Sequence, residues 1–311
     1  MPLLQVEHVT KRYGNLTAVD DVSFSAEPGR IFGLLGPNGA GKTSIIRMIT
    51  YIMVPDTGQI SLGGQPVGPE TQPRMGYLPE ERGLYKKLKV GEQLVYFARL
   101  KGMSGSAAER AVRHWLARFD AADWYGKKVE TLSKGMQQKV QFIVTIVHGP
   151  ELVILDEPFS GLDPINAELL QEVIAELRNA GRTVLFASHR MEQVEQICDD
   201  ICLIAEGRVV LSGPLREVKR QFGSNTVTLV FDGPEGWLDA LEAEGAVSVL
   251  SRTAGHVTAR LLNATAPRRV LDAALAAVQE VYHFELHEPP MDEIFRMVVG
   301  GERTPAELGT T

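Results

Sequence analysis

The sequence predicts an α/β fold: a parallel sheet covered by helices on both faces, joined to an antiparallel β subdomain and followed by a small α+β domain. Three observations predict it. The apolar runs "RIFGLLG", "ELVILDEP" and "RTVLFASH" have strand length and are apolar enough to be buried on both faces, with helical stretches between them. Residues 3–36 before the last of their strands alternate apolar and polar positions between turn signals. Beyond "GSNT" at 223–226 the composition breaks, and a strand-helix-strand-strand-helix-strand order follows. A length of 311 residues suits about two domains, each with its own core.

In chain order, "LLQVEHV", "VDDVSFSAEPG" and "RIFGLLG" read as strands, and a helix is expected from Lys42 to about Thr50. "GQISLGGQPV" reads as a short hairpin. From about 90 to 148 the texture becomes helical, in "VGEQLVYFARLKG", "SAAERAVRHWLARFD" and "SKGMQQKVQFIVTIVHG"; in the last, Met136, Val140, Val144 and Val147 are expected on one face. This is a helical insertion between core strands. The strand "ELVILDEP" is followed by a helix with Asp163 as N-cap, Pro164 at its first position and Gly181 past its end. After "RTVLFASH" come a helix over "MEQVEQIC", two strands in "DICLIAEGRVVLSG" and a short helix over "PLREVKRQFG". The expected domains are therefore 1–222, 223–300 with the split order of ferredoxin-like modules, and a polar tail at 301–311.

Chemistry concentrates at a few positions. Gly36-Pro37-Asn38-Gly39-Ala40-Gly41-Lys42-Thr43, followed by Ser44, fills every fixed place of a phosphate-binding P-loop. Its glycines let consecutive N–H groups turn toward a phosphate, Lys42 reaches the outer phosphates, and the Thr43 hydroxyl suits Mg²⁺. Asp156 ends a buried strand and can hold that cation through water, while adjacent Glu157 can polarise an attacking water. His189 ends the next apolar strand, which puts it on the same carboxyl-end rim. A lone histidine at a strand end is more often structural; two motifs on its rim favour a γ-phosphate contact. Tyr13 is either core or a platform for a purine. Ser133 caps a second helix start able to receive an anion, about ninety positions after the P-loop. A second copy docked head to tail would bring it to a phosphate.

These residues resemble the nucleotide-binding subunits of ABC transporters, across residues 3 to about 222. Tyr13 resembles the adenine-stacking aromatic, 36–43 the Walker A loop and "ELVILDEP" the Walker B strand. "LSKGMQQK" resembles the signature, Gly161 and Asp163 in "SGLD" the D-loop, and His189 the switch histidine. "GYLPEERGLY" and the appended domain are similar to ABC-2 type export ATPases of the sodium- and drug-export kind. The resemblance implies ATP and Mg²⁺ as cofactors and a separate transmembrane permease as partner. It further implies a head-to-tail homodimer in which Ser133, Gly135 and Gln137 of each chain serve the other's ATP. Two departures stand out. Lys134 and Met136 replace the usual Gly and Gln of the signature, and Glu80 stands where a glutamine commonly helps hold the metal. The implied metal set is Thr43, Glu80 and Asp156.

A formal net charge of −7 argues against a nucleic-acid partner. Cys198 and Cys202 read as small buried residues of a reduced, cytoplasmic protein. No stretch has the length or apolarity of a signal peptide or membrane span, so a partner is expected to hold the chain at the inner face of the membrane. The expected contact lies around Glu80 to Val90 and the following helices, where "ERGLYKKLKV" is basic and part apolar; alone, that segment reads about as readily as a solvated loop. The competing reading is a non-transport ABC-type ATPase acting as a nucleotide-gated binding module. Translation factors of that kind carry two cassettes in one chain and repair proteins a long coiled coil, and this sequence has neither. A phosphotransferase would leave the signature helix unexplained. His283 and His287, on one face of the last strand, read as ordinary histidines.

Overall fold

A computed structural model describes residues 1–81, 83–222, 226–263 and 265–300. The junction residues 223–225 and the expected polar tail at 301–311 lie outside the described residues. Two compact units divide the chain, Met1–Leu215 and the residues from Arg216 onward. In the first, the order is β1 (Leu4–Tyr13), β2 (Leu16–Ala26), β3 (Ile31–Leu35), α1 (Lys42–Ile49), β4 (Thr57–Leu62), β5 (Gln65–Pro66) and β6 (Met75–Leu78). It continues with α2 (Val90–Leu100), α3 (Gly105–Arg118), α4 (Lys134–Ile146), β7 (Leu152–Asp156), α5 (Pro164–Asn179), β8 (Thr183–Ser188), α6 (Met191–Ile197), β9 (Asp200–Ala205), β10 (Arg208–Pro214) and α7, which starts at Leu215.

The central sheet runs β10-β9-β3-β8-β7-β6, parallel except for β10 at one edge. Every residue of β3, β7 and β8 is buried, as strands covered on both faces require. A second, antiparallel sheet, β2-β1-β4-β5, shares one core with the central sheet and α1. Val6, Val22, Phe24 and Ile60 of the antiparallel sheet share it with Leu34 and Ile154 of the central sheet and Ile45 and Ile49 of α1. The register puts Leu35 beside Ser188 and Asp156 beside Ala187, so β3, β7 and β8 end on one rim.

The caps follow the sequence. Asp163 accepts from Asn166 N at 2.9 Å, Pro164 opens α5, and Gly181 follows its C-cap with φ 80°. On the face of α4 that carries Met136, Val140, Val144 and Val147, Val140 and Val147 are buried and Met136 and Val144 half-buried; Gln138, Gln141 and Thr145 are buried too. Backbone carbonyls take up part of these polar groups: Gln138 Nε2 donates to Pro158 O at 3.2 Å, Gln141 Nε2 to Glu81 O at 3.1 Å and Thr145 Oγ1 to Gln141 O at 3.1 Å, whereas Gln141 Oε1 is buried without a hydrogen-bond partner.

The second unit contains β11 (Thr226–Asp232), α8 (Gly236–Ala243), β12 (Val247–Thr253), β13 (His256–Leu261), α9 (Pro267–Ala277), β14 (Glu280–His287) and α10 (Met291–Val299). Its antiparallel sheet has the order β12-β13-β11-β14. Val227, Leu229 and Phe231 of β11 pack with Leu238 and Leu241 of α8 and Val270 and Ala274 of α9 in one core. No helix among the described residues is long and apolar enough to cross a membrane.

Candidate active site

The loop between β3 and α1 is shaped by glycines that no other residue can replace cheaply. Gly36 has φ 149°, and a Cβ there would lie 2.1 Å from Ile204 O; Gly41, with φ 105°, would place one 2.4 Å from Ala18 O. Gly41 is also the N-cap of α1, so the first amides of that helix open into the loop. Lys42 Nζ bends back over it, donating to Gly36 O at 2.7 Å and Pro37 O at 3.0 Å. Burial lowers the Lys42 pKa, against the pull of Glu157, Asp156 and Glu80.

A cleft of about 370 Å³ holds this loop and the rim together. Asn38, Gly39, Ala40, Gly41, Lys42, Thr43 and Ser44 line it on one side, and Glu80, Asp156, Glu157 and His189 on the other. Asp156 is only 4% exposed. Burial, then the charges of Glu80 and Glu157, push its pKa up to about 6, the signature of a carboxylate short of a positive partner. That is the setting a divalent cation would relieve, and Thr43 supplies a hydroxyl and Glu80 a further carboxylate in the same cleft. Among the described residues no three His, Cys, Asp or Glu side chains form a self-sufficient metal cage. The fit is therefore to an ion that completes its shell with phosphate and water.

Glu157 adopts φ 48°, a left-handed conformation unusual for a non-glycine residue, with its N–H on Ala187 O at 3.0 Å. This turns its carboxylate along the rim. Oε1 accepts from His189 N at 2.8 Å and contacts His189 Nδ1 at 2.6 Å, while Oε2 accepts from Ser188 Oγ at 3.1 Å. The contact engages Nδ1, so Nε2 takes no part in it. Three donors use three of about four lone-pair directions of the carboxylate, leaving Oε2 one direction with which to hold a water.

Tyr13 stands at the margin: it is 42% exposed, and its hydroxyl lies 3.3 Å from Ser44 Oγ and 2.9 Å from Met53 Sδ. Ser133, Gly135, Gln137, Gly161 and Asp163 do not line the cleft of their own chain. Ser133 caps α4, its Oγ accepting from Met136 N at 3.3 Å. Gly135 has open space apart from Leu162 of the D-loop stretch, 3.8 Å from where its Cβ would be. Gln137 turns its amide onto its own loop, Nε2 donating to Leu132 O at 2.9 Å. Two residues escaped the sequence reading: Ser188, which orients Glu157, and Ala18, which closes one side of the cleft. Only for Ser188 was there a signal, its place beside His189 at the end of a buried strand.

A family pattern described as ABC transporter matches residues 19–160, and one described as ATP-binding protein DrrA1-3-like, C-terminal domain, matches residues 213–299. The chain is 45% identical over 298 residues to the uncharacterized ABC transporter ATP-binding protein YhaQ of Bacillus subtilis (strain 168), covering 96% of this chain and 99% of that one. It is 32% identical over 308 residues to the linearmycin resistance ATP-binding protein LnrL of the same organism, covering 96% and 98%. A solved ATP-binding subunit of an ABC transporter matches with a TM-score of 0.67 at 35% identity, over 71% of this chain and 93% of that one. The chain belongs to the ABC transporter ATP-binding proteins of the export type, ATPase subunits that serve a membrane permease.

Proposed function

We propose that two copies of this chain, with residues 1–222 as the ATP-binding domain, close head to tail over two ATP molecules and reopen on hydrolysis. The stroke is transmitted to a permease whose cargo is not encoded here. The observation that carries this reading is a split. The P-loop, Asp156, Glu157 and His189 share one cleft, whereas the capped helix start at Ser133 and Gly135 stays outside it. A second chain is then the source of the missing anion contacts, with Lys134 adding positive charge.

In this mechanism the amides of 38–44 and Lys42 hold the β- and γ-phosphates, and Tyr13 stacks on the adenine. Mg²⁺, held by Thr43, Glu80 and Asp156, would neutralise phosphate charge when bound. Glu157 accepts a hydrogen bond from the attacking water through Oε2. The water oxygen bonds to the γ-phosphorus as the bond to the β–γ bridging oxygen breaks, giving ADP and phosphate. His189 faces the γ-phosphate while its Nδ1–H keeps Glu157 in place. The permease contact is assigned to the loop before α2 and to α2 itself, where Tyr85 and Leu88 of the loop are 55% and 41% exposed beside Lys86 and Lys87, and Tyr96 of α2 is 50% exposed. Docking there would hold the subunit at the inner face of the membrane.

Complementation tests the shared site. Lys42→Ala and Ser133→Arg chains are each expected to be inactive as ATPases. Their mixture should regain activity, because one of the two composite sites in a mixed dimer is intact. A mixture no more active than its components would refute the trans assignment.

A further inference from the structure

The sheet of the second unit has two edges, β12 and β14. An edge strand exposes unpaired backbone groups that can template another strand unless something blunts it. β12 is blunted: its register breaks between Val249 and Ser251, and Arg252 is tied down by Glu235 at 2.7 Å and Asp239 at 2.6 Å. β14 carries no proline and no lysine, and among the described residues its only strand partner is β11. Its bulge lies near one end, between the pairs of Val230 and Phe231, so His283 to His287 run in unbroken register. Phe284 and Leu286 oppose Leu229 and Val227, which places them on the helix-covered side. His283, Glu285 and His287 stand on the other face. Tyr282 is 61% and Leu286 39% exposed.

We propose that β14 is a docking edge for a second copy of this chain, the two strands pairing antiparallel about a two-fold axis at Phe284. The partner is argued from self-complementarity. In such a pair, each residue before the axis faces the residue equally far beyond it. An axis at Phe284 sets His283 against the partner's Glu285, within the unbroken stretch. Symmetry doubles the pairing, so the face away from the helices gains two histidine–carboxylate contacts. Moving the axis to Glu285 would oppose two glutamates and set His283 against the partner's His287. Moving it to His283 would oppose two histidines. Within the strand, His283 Nε2 already lies 3.0 Å from Glu285 Oε2, so the exchange from an internal to an intermolecular contact needs little side-chain rearrangement. Two four-stranded sheets become one of eight. The interface uses neither nucleotide nor the Ser133 helix, so it stands or falls separately from head-to-tail closure.

The experiment is sedimentation equilibrium of the full chain without nucleotide, across the micromolar range. The wild type is expected to self-associate, and Glu285→Lys to raise the dissociation constant about tenfold, roughly 1.4 kcal/mol. The exchanged variant His283→Glu/Glu285→Lys should restore association, since each carboxylate again faces a hydrogen-bond donor, now a lysine. In parallel, His283→Cys and Glu285→Cys chains mixed under mild oxidation should crosslink to each other more than either does to itself. Cys198 and Cys202 are buried and do not compete. Thermal melts verify that the exposed substitutions leave the fold intact. A chain that stays monomeric, an association indifferent to Glu285→Lys, or mixed cysteines that fail to crosslink preferentially would each overturn the proposal.

Discussion

Replacing Asp156 by Asn should stabilise the protein in the absence of metal and nucleotide. Burial and the neighbouring charges of Glu80 and Glu157 raise the Asp156 pKa from its ordinary 3.8 to about 6. At ~1.36 kcal/mol for each pH unit, ionising it in the folded chain costs about 3 kcal/mol, an order-of-magnitude figure. The sign follows from the direction of the change. A group whose folded pKa is raised contributes stability below its unfolded pKa and loses it as pH rises through the folded value, so the cost is complete above about pH 6. Asn cannot ionise and avoids it. In a scanning melt at pH 7.5 with EDTA, Asp156→Asn should unfold roughly 5–10 °C above wild type. The gap should close as the buffer approaches pH 4. Mg²⁺ and ATP at a hundred times their Kd should nearly close the gap, since they add about 2.7 kcal/mol to the chain that binds them. A melting point for Asp156→Asn equal to or below wild type in EDTA at pH 7.5 would refute the picture of an uncompensated carboxylate.

Other outcomes follow from the same geometry. Gly41→Ala must hold an alanine at φ 105° with its Cβ 2.4 Å from Ala18 O. The backbone conformation alone costs roughly 1–3 kcal/mol, and ATP affinity in a fluorescence titration should fall at least tenfold. His148 lies half-buried near Lys101, with Nε2 3.2 Å from Met75 O. Burial and then Lys101 push its pKa down to about 4. Its contribution is therefore full above pH 6.5 and lost as pH falls toward 4, by up to about 3 kcal/mol. This slope opposes that of Asp156 over nearly the same window. In urea unfolding, His148→Gln should lose less stability than the wild type between pH 6.5 and 4.

The phosphate loop was legible in the sequence because its residues are contiguous and its chemistry depends on backbone. Asp156, Glu157 and His189 were legible because each ends a buried apolar strand, and parallel strands deliver their ends to one rim. Long-range partners were not legible. Ser188 bonding Glu157 spans a strand pairing, and the polar groups buried in α4 depend on carbonyls at Glu81 and Pro158 far away in the chain. An apolar-period reading of α4 consequently has nothing to say about the burial of Gln138 and Gln141. In the second unit the strand order was readable, but which strands end the sheet is a matter of pairing. His283 and Glu285 acquire meaning only once β14 is known to be an edge.

The most direct measurement of the central claim is the mass in solution of Glu157→Gln by light scattering, with and without ATP and Mg²⁺, in a Glu285→Lys background that weakens the β14 edge. Glu157→Gln keeps the P-loop and Asp156 while removing the carboxylate that holds water, so bound ATP persists. The account predicts that ATP converts monomer to dimer and that adding Ser133→Arg abolishes the conversion. A mass unchanged while ATP is demonstrably bound, or a dimer that forms despite Ser133→Arg, would contradict it.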